Sequence, residues 1–275
     1  MSRSVVSMPP TLCALFALAG MACATQPSDT SETITPSRYG GKPLRAVVDP
    51  NAPGHASLVN KIVTVTGTQV VAIDSFDETE DGKARGTIYI QELGSVKPYS
   101  GISLYSPSFS PADTRPVVGD IFDWSGIYRE ADRIGTAVFR MEGEVQPLLI
   151  QLEKPTGRPR FDGGTPFAVE INAADLTSYE TGRPWLGMLV RLKDVQVTKE
   201  PTGTTGRQSA FLNASGDKNL PTVTVANELM ALSVDDFKAN TRFSSIVGVV
   251  TFAFGIHFAP RSKSDLEFDA NAQAQ

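Results

Sequence analysis

Few residues of this 275-residue chain have types and spacings that could support chemistry. Its two histidines are too few for a multi-histidine metal centre, and both cysteines, Cys13 and Cys23, lie in the first 23 residues. Cysteine-based zinc sites, cysteine nucleophiles and disulfides within the folded region are therefore excluded. The sequence also lacks the GxSxG, HExxH, P-loop and Rossmann glycine motifs. We predict a protein that is not an enzyme, with no catalytic residues and no cofactor. His257, within the apolar run 252–258, is expected to be structural.

An acidic loop is the one cluster of side chains that could bind a cation. Calcium requires six to eight oxygen ligands, but an EF-hand register fails because Ile88 occupies the position of the bidentate glutamate. We expect a solvated hairpin loop and no dedicated metal site, with adventitious Ca²⁺ as the alternative. The five carboxylates are those of Asp74, Asp77, Glu78, Glu80 and Asp81.

The amino terminus has the pattern of a secretory signal peptide over residues 1–22. Arg3 is followed by the apolar run Leu12–Ala22, which is shorter than the roughly 20 residues of a membrane-spanning helix. Two processing sites compete. Cleavage before Cys23 would make this cysteine the lipid-attachment site of a lipoprotein, whereas cleavage after Ala24 would release a soluble secreted protein. We expect a tether over residues 23–56, because residues 25–36 are polar and rich in Pro, Ser and Thr.

From residue 57 onward, alternating apolar residues and frequent turn signals predict an all-β protein with minor helices. Lys61–Ile73 is a long strand in which Gly67 is expected to form a bulge. This first domain is predicted to span residues 57–154, and its further strands are expected at 86–92, 100–106, 117–128 and within 135–151.

A second domain with the same order of patterns is predicted at residues 166–268, followed by a tail at 269–275. Residues 173–179 are expected to form one or two helical turns, and Glu228–Asn240 a helix. Strands are predicted at 185–197, 209–213, 222–226 and 242–254. A period of about 120 residues indicates two domains and not a solenoid.

Several segments resemble secreted bacterial OB-fold domains, which occur in cell-surface lipoproteins and as accessory modules of extracellular nucleases. In the first domain the resemblance rests on Val63–Gly67, Tyr89–Gln91, Gly101-Ile102 and Val118–Asp120 with Gly126. In the second domain it rests on Leu189–Leu192, Ala259–Ser262 and Asp265-Leu266. It covers residues 57–268 and implies two tandem OB-fold-like β-barrels.

Strand alternation identifies a candidate ligand face on the first barrel. If Ile88 and Ile90 point inward, Tyr89 and Gln91 point outward, and the same rule places Tyr105 outward on the next strand. The outer face of strands two and three of OB-folds commonly holds oligonucleotides or oligosaccharides, often by stacking on aromatic rings.

The balance of acidic and basic side chains indicates which class of partner the protein can bind. Residues 60–150 carry 13 acidic and 8 basic side chains, and residues 166–268 carry 11 and 10. This is not the basic face of a duplex-DNA binder. We therefore predict a non-catalytic lipoprotein of the bacterial cell envelope, periplasmic or surface-facing, that serves as a binding or scaffolding module. Its candidate partners are the membrane through its lipid anchor, an oligosaccharide, single-stranded nucleic acid or an envelope protein. The alternative is a secreted nucleic-acid- or oligosaccharide-binding protein of an extracellular nuclease system.

Overall fold

The computed structural model describes residues 40–203 and 206–270, and its architecture is all-β with minor helices, as predicted. The signal peptide and Cys23 lie outside the described residues. Two short helical turns, α1 (Arg45–Val48) and a 3₁₀ turn (His55–Ser57), precede the first barrel. The strands of the first half are β1 (Ile62–Ile73), β2 (Ile88–Glu92), β3 (Gly101–Tyr105), β4 (Ser108–Phe109), β5 (Asp120–Ala131), β6 (Arg133–Ile134), β7 (Ala137–Val138) and β8 (Leu149–Asp162).

Five of these strands close into the first barrel in the order β1-β2-β3-β8-β5 and back to β1. All neighbours in the ring are antiparallel except β3 and β8, which are parallel. Gly67 has φ +63° and lies where the β1–β5 register shifts, which confirms the predicted bulge. Its N–H donates to the buried Asp123 carboxylate at 2.8 Å, so the bend is held by a side chain of the neighbouring strand.

The fifth strand of this barrel is β8 at residues 149–162, and the prediction within 135–151 was wrong for most of its length. The domain consequently extends beyond residue 154. Prolines within 155–166 indicated a linker, because proline cannot donate to a β-ladder. Pro155 and Pro159 nevertheless fit in β8, since both lie at shifts in the register between β5 and β8, where the ladder is interrupted.

Residues 40–56, assigned above to the tether, pack against the first barrel. Lys42 forms a parallel bridge with Val65 of β1, and Leu44, Val47 and Val48 are buried in the main core. The sequence did not predict this packing, because a segment with three buried apolar side chains in five residues is too short to show a periodic pattern.

The second half contains β9 (Val169–Glu170), β10 (Leu189–Thr202), β11 (Ser209–Asn213), β12 (Val223–Ala226), β13 (Arg242–Phe252), β14 (Ile256–Ala259) and β15 (Leu266–Phe268). Its helical segments are α2 (Tyr179–Gly182) and 3₁₀ turns at Ala173–Leu176, Arg183–Trp185 and Lys263–Asp265. The second barrel closes in the order β10-β11-β12-β14-β13 and back to β10, with β12 and β14 parallel. The helical turn predicted from residue 173 is present.

The helix predicted at Glu228–Asn240 is absent, and this segment forms turns. Its apolar side chains are buried in different places: Leu229 joins a cluster shared between the barrels, whereas Leu232 and Phe237 join the main core. A helix would hold these side chains on one stripe, so tertiary packing has overridden local propensity.

The two barrels belong to one compact unit. A small apolar cluster, which includes Val71, Tyr89, Leu189 and Val249, draws on both of them. Gly187 allows a close approach of the two backbones, since a Cβ atom there would lie 2.3 Å from the backbone nitrogen of Ile102. This approach covers part of the outer surface of β2 and β3.

Candidate functional site

The structure confirms the predicted alternation along β2 and β3, but it separates the three candidate residues. Ile88, Ile90, Ile102 and Leu104 are buried, and the remaining side chains of these strands point away from the core of the first barrel. Gln91 is covered by the second barrel, where its Oε1 accepts a hydrogen bond from the Leu189 N–H at 2.9 Å. Gln91 therefore joins the two barrels and offers no open surface to a ligand.

Tyr89 and Tyr105 line a common cavity of about 520 Å³ between the barrels, here called the inter-barrel cavity. Tyr89 is 7% exposed and lies deep, whereas Tyr105 is 57% exposed and lies at the mouth. The second barrel contributes β13 side chains, including Thr251 and Phe252, together with Glu228. Cavities of this volume hold small-molecule ligands in many proteins.

The Tyr89 hydroxyl is the most informative polar group of this cavity. It has no hydrogen-bond partner among the described residues, although buried tyrosine hydroxyls usually have one. Burial raises the pKa of Tyr89 well above its usual value, and the neighbouring carboxylates of Glu228 and Asp74 act in the same direction. The phenol therefore stays protonated and can both donate to a ligand and accept from it.

Glu228, which the sequence placed on a helix, lies beside Tyr89 as a buried hydrogen-bond acceptor. Burial alone would raise its pKa, but the hydrogen bond from Nδ1 of His257, 3.0 Å long, and the charge of that ring hold it below the usual value. A charged carboxylate is thus kept in the cavity wall. No sequence signal links the two residues, because they are distant in the chain. They meet only in the folded protein, where the turn between β13 and β14 brings His257 back to Glu228.

The acidic loop is divided by the fold. Asp77 accepts hydrogen bonds from the N–H groups of Asp81 and Gly82, as in an ordinary turn. Asp74 and Glu78 are instead buried, and Glu78 forms an ion pair with Arg85. Burial raises the Asp74 pKa to about 6, Arg85 lowers it, and Glu78 and Glu228 raise it further. Within residues 40–203 and 206–270, no three metal-ligating side chains are grouped to hold an ion.

The charged groups that line the inter-barrel cavity are neutralised within the protein. Two are cationic and two anionic; three have a partner of fixed opposite charge, and the fourth, Glu228, is hydrogen bonded to His257. The pairs are Arg85–Glu78, Arg133–Asp132, Glu153–Arg129 and Glu228–His257. Such a lining favours a neutral ligand with many hydroxyl groups over a polyanion.

The Glu228–His257 pair has the arrangement of a carboxylate and imidazole in hydrolases, but no nucleophile of residues 40–203 and 206–270 completes it. In the described part of the chain, no serine or threonine hydroxyl is hydrogen bonded to Nε2 of His257. The geometry that acyl transfer needs, in which the base contacts both the nucleophile and the carboxylate, is therefore not assembled.

Comparison with known proteins adds no family assignment. Among the described residues, no helix is long and apolar enough to cross a membrane. No protein-family model matches the chain, and no curated protein is significantly similar to it in sequence.

Proposed function

We propose that this protein is a non-catalytic binding module of the bacterial cell envelope that holds its ligand in the inter-barrel cavity. The observation that carries the proposal is the hydroxyl of the largely buried Tyr89, which has no partner among the described residues and lines a cavity with the exposed Tyr105 ring at its mouth. A ring at the mouth and a hydroxyl at depth fit a ligand that stacks and also forms hydrogen bonds.

We further propose that both barrels are OB-folds. In each ring the third and fifth strands are parallel neighbours, and the fourth strand lies between the fifth and the first. The outer face of strands two and three is the usual ligand surface of OB-folds. Tyr89 of β2 and Tyr105 of β3 belong to that face, which supports a binding role for the cavity beside it.

The envelope location rests on the sequence. Cys23 follows an apolar segment of signal-peptide length, and a polar stretch separates it from residue 40, where the described structure begins. Lipid attachment at Cys23 would anchor the barrels to a membrane through this stretch. Cleavage after Ala24 would instead give the secreted form of the same binding module.

Two alternatives make different predictions. A scaffolding role is favoured by the burial of Gln91 in the contact between the barrels, since that part of the face serves assembly of the protein itself. A secreted nucleic-acid-binding protein of a nuclease system would instead use the cavity for a short single strand. The balanced charges of the cavity favour a glycan over a nucleic acid.

Calorimetric titration of neutral oligosaccharides and single-stranded oligonucleotides against wild type and Tyr105→Ala tests the proposal. Loss of one stacking ring should weaken binding by about 1–3 kcal/mol. Phe161→Ala is the matched control, because Phe161 is 53% exposed on β8 and does not line the cavity. Equal binding by Tyr105→Ala and wild type would contradict this location of the ligand. Cleavage of a bound ligand during the titration would contradict the non-catalytic role.

A further inference from the structure

A second cavity, of about 360 Å³, lies beside the turn that connects β13 and β14, and is called here the hairpin cavity. Ala253 of this turn lines both cavities, so they are adjacent, with the turn between them. The side chains that line the hairpin cavity include those of Thr222, Thr224, Phe254, His257 and Glu142.

Three polar groups of the hairpin cavity have no hydrogen-bond partner in the described part of the chain. They are the hydroxyls of Thr222 and Thr224 and Nε2 of His257. Other hydroxyls of the same cavity are already used, since Thr177 donates to the Ala174 carbonyl and Ser178 accepts from the Thr181 N–H. The three remaining groups can therefore be satisfied by a ligand or by water.

Phe254 presents an aromatic ring at the edge of the hairpin cavity. It is 56% exposed and has φ +65°, a left-handed conformation that is unfavourable for a bulky residue. The ring packs edge to face against the buried Phe139 at 5.5 Å, and the Ala253 N–H donates to the Gly255 carbonyl. Such conformations are retained where the surrounding structure holds them, often at binding sites.

The Glu228–His257 pair connects the two cavities. Glu228 lines the inter-barrel cavity, whereas His257 lines the hairpin cavity. Because the carboxylate of Glu228 can only accept, Nδ1 of His257 carries the proton of the hydrogen bond between them. Nε2 therefore accepts from a ligand hydroxyl when the ring is neutral and donates to one when the ring is protonated.

We propose that the hairpin cavity is a second subsite of the same binding site, and that the ligand is a neutral, linear glycan chain crossing the β13–β14 turn. The proposal rests on the function proposed above. Each cavity combines an aromatic ring at its edge with unpartnered hydrogen-bonding groups, the combination that a sugar ring with its hydroxyls requires. No lysine or arginine among the described residues lines the hairpin cavity, and Glu142 does, which disfavours a phosphate backbone there.

The test uses the full chain and neutral glycans presented as series of one to six sugar units. For wild type, the affinity should rise by about tenfold or more once the chain is long enough to reach Phe254, because a second ring then contributes. Phe254→Gly should abolish this gain and leave the affinity for the shorter chains unchanged. Glycine adopts positive φ without strain, which offsets part of the lost contact with Phe139, so the variant should still fold, as thermal unfolding will show. Thr222→Val/Thr224→Val is a second variant that should reduce the same gain.

The outcomes separate the two proposals. Equal chain-length dependence in wild type and both variants, with binding still weakened in Tyr105→Ala, overturns the second subsite and leaves the function proposed above standing. Binding of single-stranded oligonucleotides in place of every neutral glycan overturns the glycan inference and supports the alternative function. No binding of either class of ligand overturns both proposals.

Discussion

Gln91 and Leu189 connect the two barrels by a buried hydrogen bond: Oε1 of Gln91 accepts from the Leu189 N–H at 2.9 Å. Gln91 belongs to the second strand of the first barrel, and Leu189 begins the first strand of the second barrel. The other end of the amide, Nε2, donates to the Ser95 carbonyl at 3.3 Å. One side chain therefore fixes the edge of a loop and the position of the neighbouring barrel.

Gln91→Ala should lower the free energy of unfolding by about 1–3 kcal/mol, because the Leu189 N–H would be left buried without a partner. The measurement is urea unfolding followed by fluorescence. Gln196→Ala is the control, since Gln196 donates to the Asn240 carbonyl at the surface and its loss should have a much smaller effect. If both variants are equally stable, the hydrogen bond between the barrels does not contribute to stability.

Gly187→Ala should destabilise the protein more than a glycine substitution at an open turn. Gly187 has φ +75°, and a Cβ atom would collide with the backbone of Ile102 in the first barrel. Gly94 has a similar φ of +66° but no atom within 4 Å of an added Cβ, so Gly94→Ala isolates the backbone effect. We expect a loss of about 1–2 kcal/mol at Gly94 from the left-handed conformation alone.

At Gly187 the collision adds to that backbone effect, so the loss in free energy should be clearly larger than at Gly94. The two variants are compared by thermal unfolding. Equal losses at both positions would mean that the two barrels can move apart at Gly187 without a loss in the free energy of unfolding.

Asp74 should make stability depend on pH between about 4 and 6. Its pKa in the folded protein, about 6, lies above the unfolded value, so the folded state retains the proton to higher pH. The contribution of Asp74 to stability is therefore greatest below pH 4, falls as the pH rises through this range, and then levels off. Asp74→Asn should remove this contribution.

The quantity to measure is the difference in the free energy of unfolding between Asp74→Asn and wild type. From pH 4 to pH 7, the variant should become more stable relative to wild type by on the order of 1–3 kcal/mol. Asp77→Asn is the control, since Asp77 accepts backbone hydrogen bonds at the exposed turn of the same loop. A difference that does not vary with pH would show that Asp74 is not destabilised by burial.

Cys23→Ala should release the protein from membranes if the lipoprotein prediction is correct, because the substitution removes the residue that carries the lipid. A diacyl anchor holds a protein far more strongly than a single chain does, so its loss should be plain to see. Cys13→Ala is the matched control, since Cys13 lies inside the predicted signal peptide and is removed in either processing scheme. Membrane fractionation and the mass of the mature amino terminus report the outcome. Unchanged fractionation of Cys23→Ala with no lipid mass would favour cleavage after Ala24.

The β class, the bulge at Gly67 and the inward side chains of β2 and β3 followed from the sequence alone. The physical reason is that a strand has a period of two and that glycine adopts positive φ, so both signals depend on neighbouring residues only. The signal peptide and the candidate lipid-attachment residue Cys23 are likewise properties of a short segment, and these remain predictions.

Only the tertiary structure decided what the outward residues face. Gln91 and Tyr105 obey the same alternation, yet the second barrel buries one and leaves the other at the mouth of a cavity. Glu228 and His257 are 29 residues apart, and their pairing depends on the turn between β13 and β14. Contacts between distant segments are set by how whole barrels pack, and this packing also replaced the predicted helix at 228–240 with turns whose apolar side chains enter two different clusters.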